Sequence, residues 1–405
     1  MLISAGNTQW EGFGIGDYPS LNDHEDSEIE SPAQAWNAIA VGAYTEKTLL
    51  PPGTGLRPLA PHGDLSPFSR TASWTSEWPV KPDIVHEGGN LAMGRTSPAD
   101  LHGALSLLST SKSLYGNKFA YTEATSAATA LAAKGITELW SAYPDLWPET
   151  VRGLYVSSAR WTEQMKRSLP GPMGRRKRDY ALLFQRYGYG IPDLERARRS
   201  ASNALTLIIE DEITPYRLSD HGKQGIHNEM KLFGLPWPSE ELRKLGNTEV
   251  TLRVTLSSFV APNPSEASRG SRYMYASHNL RFKLIRANEN ERQFMARINK
   301  LAEQVETPAD SENEIWEFGT NRRDVGSLHI DQLTCKASDL ARRGVIAVHP
   351  VSGWWKAKHR LQGDLPKARF ALIVEIDASS VETDLYQEVQ ANIATMIANE
   401  TEVLV

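Results

Sequence analysis

A Thr-Ser step at Thr125-Ser126 leads straight into the helix-forming run Ala127-Ala128-Thr129-Ala130-Leu131-Ala132-Ala133, and two chemistries fit a serine there. As an N-cap, its hydroxyl would satisfy one of the orphan backbone N–H groups at the start of the helix. As a nucleophile, it would sit where the positive end of the helix and nearby N–H groups favour the negative charge that develops beside an attacked carbonyl. The second reading makes further demands, because a serine hydroxyl is a weak nucleophile until a histidine takes its proton and a carboxylate orients that histidine. It also calls for a donor to the developing oxyanion. Asn7 follows Leu2-Ile3-Ser4-Ala5-Gly6 and projects an amide from the end of that stretch, where an asparagine is otherwise an ordinary turn residue.

Several elements would have to position these groups. Leu2 to Asn7 reads as a short strand running into a turn, with Gly6 permitting the tight backbone. Ala33 to Ala43 reads as a small apolar strand in which Gly42 allows close packing. Lys81-Pro82-Asp83-Ile84-Val85 is a third strand, followed by His86-Glu87-Gly88-Gly89. The helix that begins at Ser126 continues through Leu139 and Trp140.

In this order, Met1 to Asn7, Lys81 to Gly89, Ala120 to Ala133 and the segment Gly188-Tyr189-Gly190-Ile191-Pro192-Asp193 resemble the second half of a subtilase, the subtilisin-like serine protease family. The likeness covers roughly the first half of the chain. It implies a serine endopeptidase acting on a peptide or protein, with Ser126 as nucleophile and Asn7 as oxyanion donor. It also implies that the triad Asp and His precede Asn7, so they are expected in upstream sequence or on a separate chain. His102-Gly103 resembles the family's histidine motif but lies on the wrong side of Asn7, as do His62-Gly63 and His221-Gly222. Two motif positions depart from the commonest pattern: Ala124 stands for Gly and Ala130 for Pro. A third departure replaces the usual Ala-Pro-Gly turn with His86-Glu87-Gly88-Gly89. Family members often bind structural calcium, and large intracellular ones are sometimes encoded beside an ATPase partner. The alternative is a non-catalytic scaffold or binding protein that kept the fold without a complete triad.

Composition narrows the remaining choices. A net charge of −5 gives no general electrostatic case for nucleic acid or an anionic membrane, so neither is an expected partner. The lone Cys335 excludes an internal disulfide framework and suits a reducing compartment, which points to the cytoplasm. There is no apolar run of membrane-spanning length, and Met1-Leu2-Ile3-Ser4 lacks the features of a secretory signal. Asp23, His24, Glu25, Asp26 and Glu28 read as an acidic solvated loop without metal-ligand spacing. The basic stretch from Met165 to Arg178 reads as a solvated loop rather than a phosphate or nucleic-acid site.

The expected fold is α/β: a subtilisin-like parallel-sheet domain over 1–199, incomplete at its N-terminus, then a β-sandwich or jelly-roll-like accessory domain over 200–405. In the second region Val250, Leu252, Val254 and Leu256 alternate with Thr251, Arg253 and Thr255, as a half-buried strand requires. Leu280 to Leu284, Gly344 to Val351 and Arg369 to Ile376 read as further strands. Phe294, Ile298, Leu301 and Val305 form the stripe of an amphipathic helix, and a helical tail is expected at the C-terminus. The Trp354-Trp355 pair reads as packing, or as a stacking surface for a sugar or a partner.

Overall fold

A computed structural model describes the chain except for 12–15, 24, 75–77, 170–176, 203–205, 236–238, 265–274, 304–314, 378–400 and 405. The centre of the basic stretch, His24 of the acidic loop and Val305 of the helical stripe therefore lie outside the described residues. The chain forms two compact units: Met1–Pro144 with Tyr155–Ala197, and Asp145–Leu154 with Arg198–Val405.

In the first unit the central strand is β2 (Ile39–Thr45), buried along its whole length and parallel to both β1 (Leu2–Ser4) and β3 (Ile84–Glu87). Gly42 accounts for the tight fit of β2: a Cβ there would meet Pro82, Ser69 and Val85 at 3.0 to 3.2 Å. The two-residue strand Asp64–Leu65 joins antiparallel at the end of β2, pairing Leu65 with Tyr44. A separate hairpin, β4 (Leu107–Thr110) and β5 (Phe119–Thr122), leads into the long helix α1 (Ala124–Ala142), which packs against β1, β2 and β3. Helix α2 (Pro148–Ser157) follows, its residues up to Leu154 belonging to the second unit and those from Tyr155 to the first, and then α3 (Tyr180–Tyr187).

Strand bounds shift from those read in the sequence. Residues 33–38 stay outside β2, and β3 starts only at Ile84 but includes His86 and Glu87, which had read as a turn. The Asp83 carboxylate takes the Ala40 N–H at 2.7 Å and pairs with buried Lys81 at 2.7 Å. Both side chains are thus tied to the sheet margin.

Eight strands make two sheets in the second unit: β6 (Thr206–Ile213), β7 (Glu229–Gly234), β8 (Glu249–Ser258), β9 (Asn279–Leu284), β10 (Leu328–Lys336), β11 (Val345–Val351), β12 (Ala368–Asp377) and β13 (Thr401–Leu404). Both sheets are four-stranded and antiparallel, in the orders β6-β12-β8-β10 and β9-β11-β7-β13. Leu252, Val254 and Leu256 of one share a core with Phe282, Leu284 and Val348 of the other. Helix α4 (Glu291–Glu303) places Phe294 and Ile298 against Met230, Leu232 and Ala347 on the other face of the second sheet.

One expectation needs correction. β8 is buried on both faces, not one: Arg253 and Thr255 are as inaccessible as the leucines. Arg253 donates to Gln332 at 2.9 Å and lies over the Phe318 ring, and Gly153 of α2 sits close to Thr255 and Ser257. At the strand end Arg152 reaches Ser257 Oγ at 3.1 Å and the carbonyls of Ser258 and Ser327 at 2.8 and 2.7 Å. The helical C-terminal tail expected from the sequence falls largely on 378–400, outside the described residues; beyond it Thr401–Leu404 forms the strand β13 against β7.

Candidate functional site

Parallel strands bring their C-terminal ends to one rim of the sheet, and ligands and reacting groups collect there. The C-terminal ends of β1 and β3 lead to Asn7 and to Gly88-Gly89, and the start of α1 meets both. Ala124 N–H donates to the Gly88 carbonyl at 2.7 Å. Gly88 must be glycine for this approach, since a Cβ would lie 2.4 Å from Ala43 Cβ and 3.2 Å from the Ala124 carbonyl oxygen. The Asn7 side-chain oxygen accepts from Thr125 twice, from its backbone N–H at 3.2 Å and its hydroxyl at 2.7 Å. Residues 118 positions apart are thereby locked together.

This places Asn7 beside the residue that precedes Ser126. With its oxygen committed to Thr125, the Asn7 amide keeps its N–H donors for another acceptor. Asn7 is exposed, and its backbone is held by Arg70, whose Nε donates to the Asn7 carbonyl at 3.1 Å. Arg70 lies over Gly6, where a Cβ would approach its side chain to 2.8 Å.

Ser126 is exposed and is the third residue of α1, not its N-cap. The N-cap is Glu123, whose side chain makes no capping bond. The capping reading of Ser126 is thus replaced, because the helix starts two residues earlier than the serine. Ala124 occupies the left-handed region at φ 69°, where a Cβ is disfavoured, and no other non-glycine residue among those described does so. The turn before Ser126 therefore keeps a glycine-type backbone although glycine is absent. Strain of this kind persists only where surrounding contacts hold it, here the Gly88 carbonyl and the Asn7 amide.

No described histidine hydrogen-bonds to Ser126. His86 on β3 shares a 2.8 Å hydrogen bond through Nε2 with the Tyr155 hydroxyl, and burial pulls its pKa down to about 4. Tyr155 also packs on α1, because Gly135 leaves room for its ring. His102 accepts the Ala104 N–H at 3.2 Å and caps a short helical turn. His62 is exposed, and His221 belongs to the other unit. Sequence reasoning missed the His86–Tyr155–Gly135 contact. The unusual His86 in place of a small turn residue was its only signal.

Among the described residues no group of three or more His, Cys, Asp or Glu is placed to hold a metal ion. Asp23 of the acidic loop is instead paired with Arg186 at 2.5 Å. No helix among the described residues is long and apolar enough to cross a membrane.

Comparison with known proteins places these features. Residues 1–190 match the model described as the Subtilase family. The chain is 26% identical over 424 aligned positions to uncharacterized protein y4bN of Sinorhizobium fredii (strain NBRC 101917 / NGR234), covering 97% of this chain and 87% of that one. Among solved structures, MycP1 from Mycobacterium smegmatis is 16% identical over 49% of the chain, with a TM-score of 0.26. The chain spans 40% of that protein, and no residue role is carried over from it.

Proposed function

Residues 1–190 belong to the subtilase family, and from that premise we propose that the chain is the nucleophile-bearing part of a serine endopeptidase. The observation that carries the reading is the double hydrogen bond from Thr125 to Asn7, which sets an amide donor beside a strained turn ending at an exposed serine. Ser126 Oγ would attack a peptide carbonyl while a base takes its proton. The carbonyl oxygen, now negative, would be met by the Asn7 Nδ2–H. Collapse breaks the C–N bond, the amine leaves with the proton from the base, and water then cleaves the acyl-enzyme ester. The base and its carboxylate belong, on this reading, to sequence upstream of Met1 or to a separate chain. The β-rich second unit is read as a sandwich-type accessory domain. A cytoplasmic setting fits Cys335, a half-buried thiol that burial pushes up to about 11. An ATPase partner and a structural calcium remain family-level proposals, and no step runs through a metal.

The second reading is a non-catalytic scaffold, favoured by the absence of any described histidine bonded to Ser126. Fluorophosphonate labelling separates the two. Labelling is expected at Ser126 when the chain is co-expressed with the polypeptide encoded immediately upstream, and it should vanish in Ser126→Ala. Failure to label both alone and with that polypeptide supports the scaffold.

A further inference from the structure

Whole-chain composition conceals a local asymmetry. The chain carries 49 acidic residues, yet from Leu101 to Tyr121 it holds Lys112 and Lys118 and no Asp or Glu; Asp100 and Glu123 flank the stretch. Six of the nine large apolar side chains that stand exposed among the described residues fall in it: Leu101, Leu108, Leu114, Tyr115, Phe119 and Tyr121. The β4–β5 register explains part of this. Leu108 faces Tyr121 and Thr110 faces Phe119, so alternation puts Leu108, Phe119 and Tyr121 on one side of a two-stranded ribbon that no other strand among the described residues joins. The tip is more exposed still, with Leu114 at 81% and Tyr115 at 88%. Ser111 N–H closes it by donating to the Lys118 carbonyl at 2.8 Å, and a Cβ on Gly116 would meet nothing within 4 Å.

We propose that this hairpin is a contact site for an anionic lipid surface, with Leu114 and Tyr115 entering the headgroup layer and Lys112 and Lys118 meeting lipid phosphates. Charge complementarity selects the occupant: an uninterrupted cationic and aromatic protrusion on an otherwise acidic chain matches the interface where aromatic rings and lysines concentrate. Size argues against a protein partner of ordinary affinity, which needs about 800 Å² from each side. A narrow hairpin tip presents much less. A bilayer surface asks for no complementary shape, only apolar tips backed by cations. The site is independent of the role given to Ser126.

Co-sedimentation of the full chain with vesicles of phosphatidylcholine alone, or mixed with phosphatidylglycerol, tests the proposal. Binding is expected only to the mixed vesicles and should weaken with added salt. Lys112→Gln with Lys118→Gln should lower partitioning about tenfold or more. Leu114→Ser with Tyr115→Ser should abolish it. Leu49→Ser, which removes an equally exposed leucine elsewhere, should leave it unchanged; circular dichroism checks that all variants fold alike. Absence of binding to the mixed vesicles overturns the proposal, as does binding that both hairpin variants retain. Loss of a polypeptide partner in those variants, without vesicle binding in the parent chain, overturns it too.

Discussion

At the scale of single residues, Ala124 is where chemistry and conformation conflict. A left-handed alanine costs about 1 kcal/mol relative to glycine, so Ala124→Gly should raise the free energy of unfolding measured in urea by roughly that amount, while the β-branched Ala124→Val should lower it. Asn7→Ala removes both acceptor contacts to Thr125 and the proposed oxyanion donor. In an assembled, active enzyme it should cut turnover on the order of 100- to 1,000-fold with a smaller change in KM, read from steady-state peptide hydrolysis. Ser126→Ala, at an exposed position, should leave stability within about 0.5 kcal/mol. The candidate pair was legible in the sequence because Asn7 and Ser126 each sit in a recognisable local motif. Ala124's conformation was signalled only indirectly, by its standing where the commonest motif has Gly; that an alanine keeps the positive φ there was visible only once the Gly88 carbonyl was in place.

Elements depend on contacts between residues remote in sequence. Gly135 sits within α1, where glycine is a poor helix former, and the Tyr155 ring accounts for it. A Cβ at Gly135 would lie 2.4 Å from the Tyr155 hydroxyl, so Gly135→Ala should destabilise the first unit by about 1 to 3 kcal/mol despite better helix propensity, as chemical denaturation would measure. Tyr155→Phe removes only the bond to His86 and should cost about 1 kcal/mol. β8 teaches the same lesson from the opposite direction. Its alternation correctly identified a strand, but the polar face is covered: Gln332 takes Arg253, and Gly153 and Arg152, about a hundred positions upstream in sequence, lie at Thr255 and Ser257. Alternation reports the chemistry of a face, not what will be laid over it.

At the scale of the whole molecule, buried histidines set the acid limit. His278, His329 and His349 of the second unit are held neutral by burial, with pKa values lowered to about 3, 4 and 3. Above about pH 6.5 they are neutral in folded and unfolded chain alike and contribute no pH dependence. Below that value the unfolded chain takes protons that the folded unit refuses, so stability falls as pH drops toward 4, on the order of 1 kcal/mol per pH unit for each. Hydrogen exchange across β8 and β10 should therefore accelerate, after correction for intrinsic rates, between pH 6.5 and 4.5. Unchanged protection over that range would contradict the assignment.

The sequence by itself carried the subtilase likeness of the first half, the order of its strands and helix, the strand-rich character of the second half, and the two residues proposed for chemistry. Each of these rests on local patterns: apolar alternation, glycine at turns, a Thr-Ser step before a helix. Tertiary structure alone decided that Asn7 turns its oxygen to Thr125, that Ser126 lies inside α1 and not at its cap, and that Asp145–Leu154 packs with the second unit. It also decided that His86 is spent on Tyr155. All four depend on pairs of groups far apart along the chain, whose approach is set by how sheets and helices pack and leaves no periodic mark in either segment.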